Sequence, residues 1–151
     1  MIREATPEDL SLLEPLARQF YAESRFLDGF SGERFEAIWR ELMASGRGVI
    51  FLLLDGGQVA GGLGGVMYPE PYSGAGVATE FFWYVGAGHR GSGMKLYWAF
   101  EEWARRKGCS QIRMVHLTDS MPEQLSRVYG RLGFEAAETH YVKALSKGAV
   151  A

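Results

Sequence analysis

Apolar positions along this chain recur at two periods, and each change of period marks a new element. Ile2 opens a short extended segment. Thr6, followed by Pro7, Glu8 and Asp9, then places a capping hydroxyl, a proline at a first helical position and acids near the positive end of a helix dipole. Leu10, Leu13, Ala17 and Phe20 follow at helical spacing, as do Phe35, Ile38, Trp39 and Leu42 after a second cap at Ser31. Gly46 and Gly48 close this second helix.

Strand patterns take over at VIFLLL, residues 49–54, which end at Asp55 and Gly56, a pair suited to a tight hairpin. The return segment from Gln58 to Met67 is diluted by Gly61, Gly62, Gly64 and Gly65, a sign of bulges or close backbone approach. VATEFFWYV, residues 77–85, is the clearest strand. Strict alternation puts Val77, Thr79, Phe81, Trp83 and Val85 on one face and Ala78, Glu80, Phe82 and Tyr84 on the other. Both faces carry apolar residues, as a central strand requires. Leu96, Ala99, Phe100, Trp103 and Ala104 then make one helix face, ended by Lys107 and Gly108. QIRMVHL at 111–117 reads as a strand, residues 122–131 as a helix, and FEAAETHYVKAL as one or two closing strands. This order predicts an α/β (α+β) domain, a mixed sheet with helices on both faces, and shows no repeat or second domain across 1–151.

Composition narrows the function classes. A chain of 151 residues with 47% hydrophobic and 23% charged residues supports one core without staples. The formal net charge of −2 gives no overall field for nucleic acid or an anionic membrane. Cys109 stands alone, so an internal disulfide is excluded, and its place before an apolar run reads as a small buried thiol. The N-terminal segment has no leader pattern and VIFLLL is too short to span a bilayer, so a cytoplasmic protein is expected.

The most informative stretch is FFWYVGAGHRGSGMKLYWAFEEW. A glycine-rich turn sits between a buried strand and an amphipathic helix, which directs main-chain amides at an anion. Gly91 and Gly93 leave room for a ligand beside the main chain, and Arg90 and Lys95 add positive charge suited to phosphate. A Walker phosphate loop is absent. A dinucleotide fingerprint through Gly86, Gly88 and Gly91 lacks the early βαβ unit that would support it.

On these residues the chain resembles the GNAT superfamily of acyl-CoA-dependent N-acyltransferases. The resemblance runs through IREATPEDL, VGAGHRGSGMKLYWAFEEWARRKG and VYGRLGFE. It implies a mostly antiparallel sheet of about six or seven strands with about four helices, and acetyl-CoA as cosubstrate. Arg90, Gly91, Ser92, Gly93, Met94 and Lys95 match the segment that wraps the coenzyme A pyrophosphate, with Lys95 in place of the usual small residue. The resemblance further implies that main chain at Tyr84 and Val85 pairs with the pantetheine arm, and that Tyr129 lies near the thioester sulfur. The asparagine often found one or two turns earlier is missing, with Pro122 and Leu125 in that region.

Amide formation from a thioester needs an uncharged amine, and an alkyl ammonium has a pKa of ~10.4, so a base must take its proton. Glu80 is the candidate, set among aromatics on the central strand; the other reading is a carboxylate neutralised by a core partner such as an arginine. Main-chain donors near Val85 would stabilise the oxyanion if the strand splays from its neighbour, and Tyr129 would serve the departing thiolate or merely fill a helix–sheet gap. His116 shares a face with Ile112 and Met114 and reads as a core histidine, His89 and His140 as surface residues. No metal-ligand spacing joins them, so no metal is expected. Tyr68, Pro69, Pro71 and Tyr72 form a loop that either borders the pocket of the amine acceptor or meets a second subunit in a homodimer. The enzymatic reading is an N-acetyltransferase; the alternative is a non-catalytic acyl-CoA-binding or sensing module.

Overall fold

The computed structural model describes residues 1–23, 29–115 and 122–145. In chain order the elements are β1 (Ile2–Glu4), α1 (Leu10–Ala22), α2 (Gly32–Ala44), β2 (Gly48–Asp55), β3 (Gln58–Pro69), β4 (Gly76–Val85), α3 (Gly93–Arg106), β5 (Gln111–Arg113) and α4 (Pro122–Arg131). Short 3-10 helices at Pro7–Asp9 and Ala87–Ser92 precede α1 and α3. Among the described residues no helix is long and apolar enough to cross a membrane.

Local chemistry explains the starts and turns. The Asp9 carboxylate accepts from the Thr6 amide at 2.8 Å and the Thr6 hydroxyl at 3.1 Å, and Arg3 clamps it at 2.7 and 2.9 Å. Those donors favour the charged form and hold the Asp9 carboxyl well below the usual carboxylate range, the Arg3 bond foremost. Ser31 Oγ caps α2 by accepting from the Arg34 amide at 3.2 Å. At the hairpin, Asp55 pairs with Gln58, and the two loop residues, Gly56 and Gly57, both have positive φ (57° and 83°). A two-residue turn of that kind demands this at both positions, so the turn lies on the Gly-Gly pair, one residue beyond the Asp-Gly pair that the pattern suggested.

The sheet runs β1-β2-β3-β4-β5, antiparallel except for the parallel pair β4–β5. Two buried clusters cover its faces. Leu10 and Leu13 of α1 and Trp39 of α2 meet Ile50 and Leu52 on one face; Leu96, Phe100, Trp103 and Ala104 of α3 meet Val49, Phe51, Leu63 and Ala78 on the other. The glycines of β3 are explained by rings lying across the strand: a Cβ at Gly64 would enter the Phe82 ring, and one at Gly65 the Phe100 ring.

Strict alternation along β4 does not hold. Gly65 pairs with Glu80 and Gly64 with Phe82, so Phe81 is an extra residue, a β-bulge, and the faces exchange there. Ala78, Trp83 and Val85 consequently pack with the α3 cluster, while Phe82 packs with the α1–α2 cluster. Glu80, which pairs with Gly65, shares the α3 face with Trp83 and Val85, not the face of Phe82 and Tyr84.

Five strands are present among the described residues, against the six or seven expected. The ladder of β5 ends at Arg113, before the expected 117, and residues 134–145 form no strand. Three paired residues give a short template for another strand, and Tyr141, Val142 and Leu145 stand exposed. His116 and the end of the expected strand at 117 lie outside the described residues.

Candidate active site

The site begins where β4 leaves β5. The parallel ladder joins only residues 77–79 to residues 111–113; beyond Thr79 the far edge of β4 has no ladder partner among the described residues. Glu80 is the first residue of that open edge. It is 4% exposed, and its carboxylate accepts from the main-chain N–H of Val115. Among the described residues it has no arginine or lysine partner. Burial penalises the charged form more than the Val115 bond favours it, and the carboxyl is pushed up to about 8.

Tyr129 of α4 closes on the same point. Its hydroxyl donates to the Val115 carbonyl at 2.7 Å. Burial, then the negative charge of Glu80, raises its pKa far above the usual phenol range, so it stays protonated. The ring is wedged between Trp83 (6.4 Å between centroids) and Phe134 (5.5 Å), and the Phe134 amide returns to the Tyr129 carbonyl at 2.9 Å to close the helix end. The sequence-read pair, Glu80 and Tyr129, is thus brought together by a third residue, Val115, that sequence did not mark. Val115 acts through its main chain, which leaves no side-chain signal.

The turn after β4 carries the remaining candidates. Arg90, Gly91 and Ser92 complete the 3-10 helix Ala87–Ser92, and Gly93, Met94 and Lys95 make the first turn of α3. Amides are spent inside the turn: His89 donates to Gly86 at 2.8 Å, Gly93 donates to Arg90, and the internal bonds of the 3-10 helix take others. The amides of Met94 and Lys95 fall among those for which an α-helix supplies no partner of its own. Gly91 faces open space, as a close ligand approach requires, whereas a Cβ at Gly93 would meet Val85 Cγ2 at 3.3 Å. Gly93 is therefore small to seat α3 against β4, an arrangement fixed by the Trp83 indole donating to the Gly93 carbonyl at 3.2 Å. Lys95 turns outward and is exposed, as is Arg90, which also interacts with the Tyr84 hydroxyl. Open main chain at Gly91, a helix start and two exposed cations on one turn suit a diphosphate.

Tyr84 and Val85 end the open edge of β4. The Tyr84 side chain is buried on the opposite face from Glu80, where its hydroxyl donates to Glu23 at 3.0 Å. That face holds a cavity of about 410 Å³ between α1, α2 and β4, walled by Phe20, Phe30, Phe35, Trp39, Phe81 and Phe82 among others. Glu80 does not line it, nor do Tyr68, Pro69, Pro71 or Tyr72. Sequence reasoning missed this cavity because Phe20 and Phe35 read as ordinary inward-facing helix positions. The Gly64 and Gly65 pair opposite the bulge was the available signal for Phe81.

Cys109 is partly buried against the α3 cluster, and burial raises its pKa, which keeps it an unreactive thiol. His89 pairs with Asp55 at 2.7 Å and His140 with Glu138 at 3.1 Å. No cluster of three or more metal-binding side chains occurs among the described residues.

A family model described as the Acetyltransferase (GNAT) family matches residues 13–134. No curated protein sequence matches the chain. Among solved structures, the chain is similar to AAC(6')-Iy in complex with a bisubstrate analogue, CoA-S-monomethyl-acetylneamine, at 19% identity and a TM-score of 0.75, with 97% of each chain covered. It is also similar to a ribosomal-protein-alanine N-acetyltransferase from Brucella melitensis biovar Abortus 2308 (18% identity, TM-score 0.72, 96% of this chain and 99% of that one). A third likeness is to a transcriptional regulator from Bacillus halodurans C-125 (23% identity, TM-score 0.75, 96% and 99% covered).

Proposed function

Because the chain belongs to the GNAT acetyltransferase family and is an acyltransferase, we propose that residues 1–151 act as one domain moving an acetyl group from acetyl-CoA to a primary amine by direct attack in a ternary complex. The observation that carries this reading is the open edge of β4, which runs from the Glu80–Tyr129 pair to the helix-start turn at residues 90–95.

In this reading Arg90, Gly91, Ser92, Gly93, Met94 and Lys95 hold the diphosphate, with the amides of Met94 and Lys95 as donors. Main chain at Tyr84 and Val85 aligns the pantetheine arm as a sheet edge aligns an added strand. When bound, acetyl-CoA supplies the thioester carbon to which the amine nitrogen adds. Glu80 takes the ammonium proton through water, since it is buried on the face of β4 away from the cavity. A main-chain N–H near Val85 faces the oxygen where negative charge gathers. As the C–N bond forms and the C–S bond breaks, Tyr129 turns from the Val115 carbonyl and gives its proton to the sulfur, and the second nitrogen proton passes through water to the Tyr129 oxygen, leaving a neutral amide. The structural neighbour bound to an acetylneamine analogue of coenzyme A supports both the cosubstrate and an amine acceptor.

One observation favours a second reading, a non-catalytic acyl-CoA-binding module: Tyr129 spends its proton on Val115. The two separate in paired assays. Release of coenzyme A thiol that depends on an added amine supports the enzyme; thermal stabilisation by acetyl-CoA with no release across a broad amine panel supports the module. Neither response would sink both.

A further inference from the structure

The cavity between α1, α2 and β4 has a lining that speaks to the acceptor, and we infer that it selects amines carrying one positive charge beside an aromatic or similarly bulky apolar body. This rests on the acetyltransferase reading above and names the substrate class for it.

The size is that of a small-molecule site, about 410 Å³, where such sites span roughly 300–1,000 Å³. The wall is built of rings that hold one another. Trp39 stands edge-on to Phe82 with centroids 5.6 Å apart, Phe35 lies 6.5 Å from Phe82, and Phe30 lies 5.9 Å from Phe35. Braced rings keep their shape when a ligand arrives, so little ordering cost falls on binding.

Charge decides between acceptor classes. None of the described lining residues is charged. A polycation entering such a space would lose water from several ammonium groups and find, among the described lining residues, no carboxylate for any of them, a cost that ring faces do not repay. A single ammonium is provided for. Aromatic faces attract a cation, and the Tyr84 hydroxyl on the cavity wall holds the Glu23 carboxylate at 3.0 Å, whose charge the Arg90 side chain on the same hydroxyl offsets in part. The nearby charge on Arg18, stacked 4.7 Å over Phe30, is matched by Glu14 at 2.9 Å and makes no demand on the ligand.

The cavity borders the strand that carries the candidate base, through Phe81, Phe82 and Tyr84. Phe81, the bulge residue, follows Glu80 directly in the chain and presents its ring to the cavity while Glu80 points to the other face. An acceptor body resting on Phe81 and Phe82 would thus lie one residue from the candidate base.

The experiment uses 2-phenylethylamine and tryptamine against a polycationic aminoglycoside and a lysine-bearing peptide. Binding is read by calorimetry with coenzyme A present, and turnover by thiol release. The expected result is saturable binding of the arylalkylamines, weakened about tenfold or more in Phe81→Ala, with coenzyme A affinity unchanged and release fastest for the arylalkylamines. Phe81 is 55% exposed, so this variant is expected to fold. Phe35→Leu, which keeps the apolar volume but removes a ring, should weaken arylalkylamines more than a branched alkylamine. Preferred turnover of the aminoglycoside or peptide leaves the transferase reading intact and overturns the inference, as does arylalkylamine binding that Phe81→Ala leaves unchanged. Saturable, Phe81-dependent binding with no release from any amine overturns the transferase reading and supports the ligand preference alone.

Discussion

Glu80 and Tyr129 grip the main chain of one residue from two sides: the Glu80 carboxylate accepts from the Val115 N–H, and the Tyr129 hydroxyl donates to the Val115 carbonyl at 2.7 Å. The arrangement joins β4 to α4 at the place where β4 leaves β5. It also fixes how the two groups titrate, because Glu80 is buried and its charge is felt by the phenol beside it.

The pH dependence of turnover follows from this. A base must be ionised, and Glu80 is held protonated until about pH 8. The rate is therefore expected to rise with pH through the neutral range and level off above about 8. Glu80→Gln should lower kcat by ~10²–10⁴ and remove that limb of the profile. A profile already flat at about pH 6, in steady-state assays of the native protein, would discard Glu80 as the base.

The same residue sets a stability trend of defined sign. Unfolded, Glu80 ionises in the ordinary carboxylate range; folded, it ionises only at about 8. Between those values the folded chain keeps a proton that the unfolded chain has lost, so rising pH favours unfolding. The contribution is fully present below the ordinary range and gone once the pH passes about 8. Glu80→Gln should accordingly melt higher than the native protein at alkaline pH, with the gap closing toward about pH 4. Calorimetric melts across that range give the answer, and a gap of constant size would mean the burial is not felt as a charge penalty.

Replacing Tyr129 by Phe separates structure from chemistry. The ring contacts with Trp83 and Phe134 persist, while the Val115 carbonyl loses its donor, a cost of about 0.5–1.5 kcal/mol for one part-buried hydrogen bond. If the hydroxyl also serves the leaving sulfur, kcat falls while the KM for acetyl-CoA holds. Lower stability with an unchanged kcat would leave Tyr129 a structural role only.

Much of this was legible in the sequence where local chemistry decides. Thr6 and Pro7, Ser31 and the residues 77–85 signal their elements through capping and β-propensity, and the structure places helix starts and β4 there. The bulge was not legible as a face exchange, because alternation reads one residue at a time and Phe81 is apolar in either register. Phe20 and Phe35 show the same boundary: periodicity says which side of a helix turns inward, not whether the space it meets is filled or open. The residues 134–145 alternate well enough for a strand, but a strand needs a partner, and a partner is a tertiary fact.

The anchor of α1 should respond to acid in the opposite sense to Glu80. Asp9 is held well below the usual carboxylate range by Arg3 and the Thr6 donors. Its contribution is present above the ordinary range and is lost as pH falls through that range toward the folded value. Asp9→Ala is expected to cost about 2 kcal/mol near neutrality, as for other capping losses, and less in acid. Urea melts at neutral and acidic pH would show the narrowing; an equal cost at both would assign the loss to packing.

Gly91→Ala tests whether the turn after β4 is built for a ligand or only for turning, with a glycine packed inside β3 as the contrast. At Gly65 a Cβ would press on the Phe100 ring and lie 3.1 Å from the Thr79 carbonyl oxygen, so Gly65→Ala should destabilise the apoprotein by about 1–3 kcal/mol through overpacking. At Gly91 nothing lies within 4 Å of the same position, and its φ is not in the left-handed region. Gly91→Ala should leave the melting temperature of the apoprotein in place or raise it slightly, since the unfolded chain loses freedom. If the main chain at residues 90–95 meets a diphosphate closely, the added methyl group stands in the ligand's path, and the Kd for coenzyme A rises about tenfold or more, near 1.4 kcal/mol. Equal coenzyme A affinity in Gly91→Ala and native protein would show that the ligand, if bound, does not rest on this turn, and the assignment of residues 90–95 would fail while the fold stood untouched.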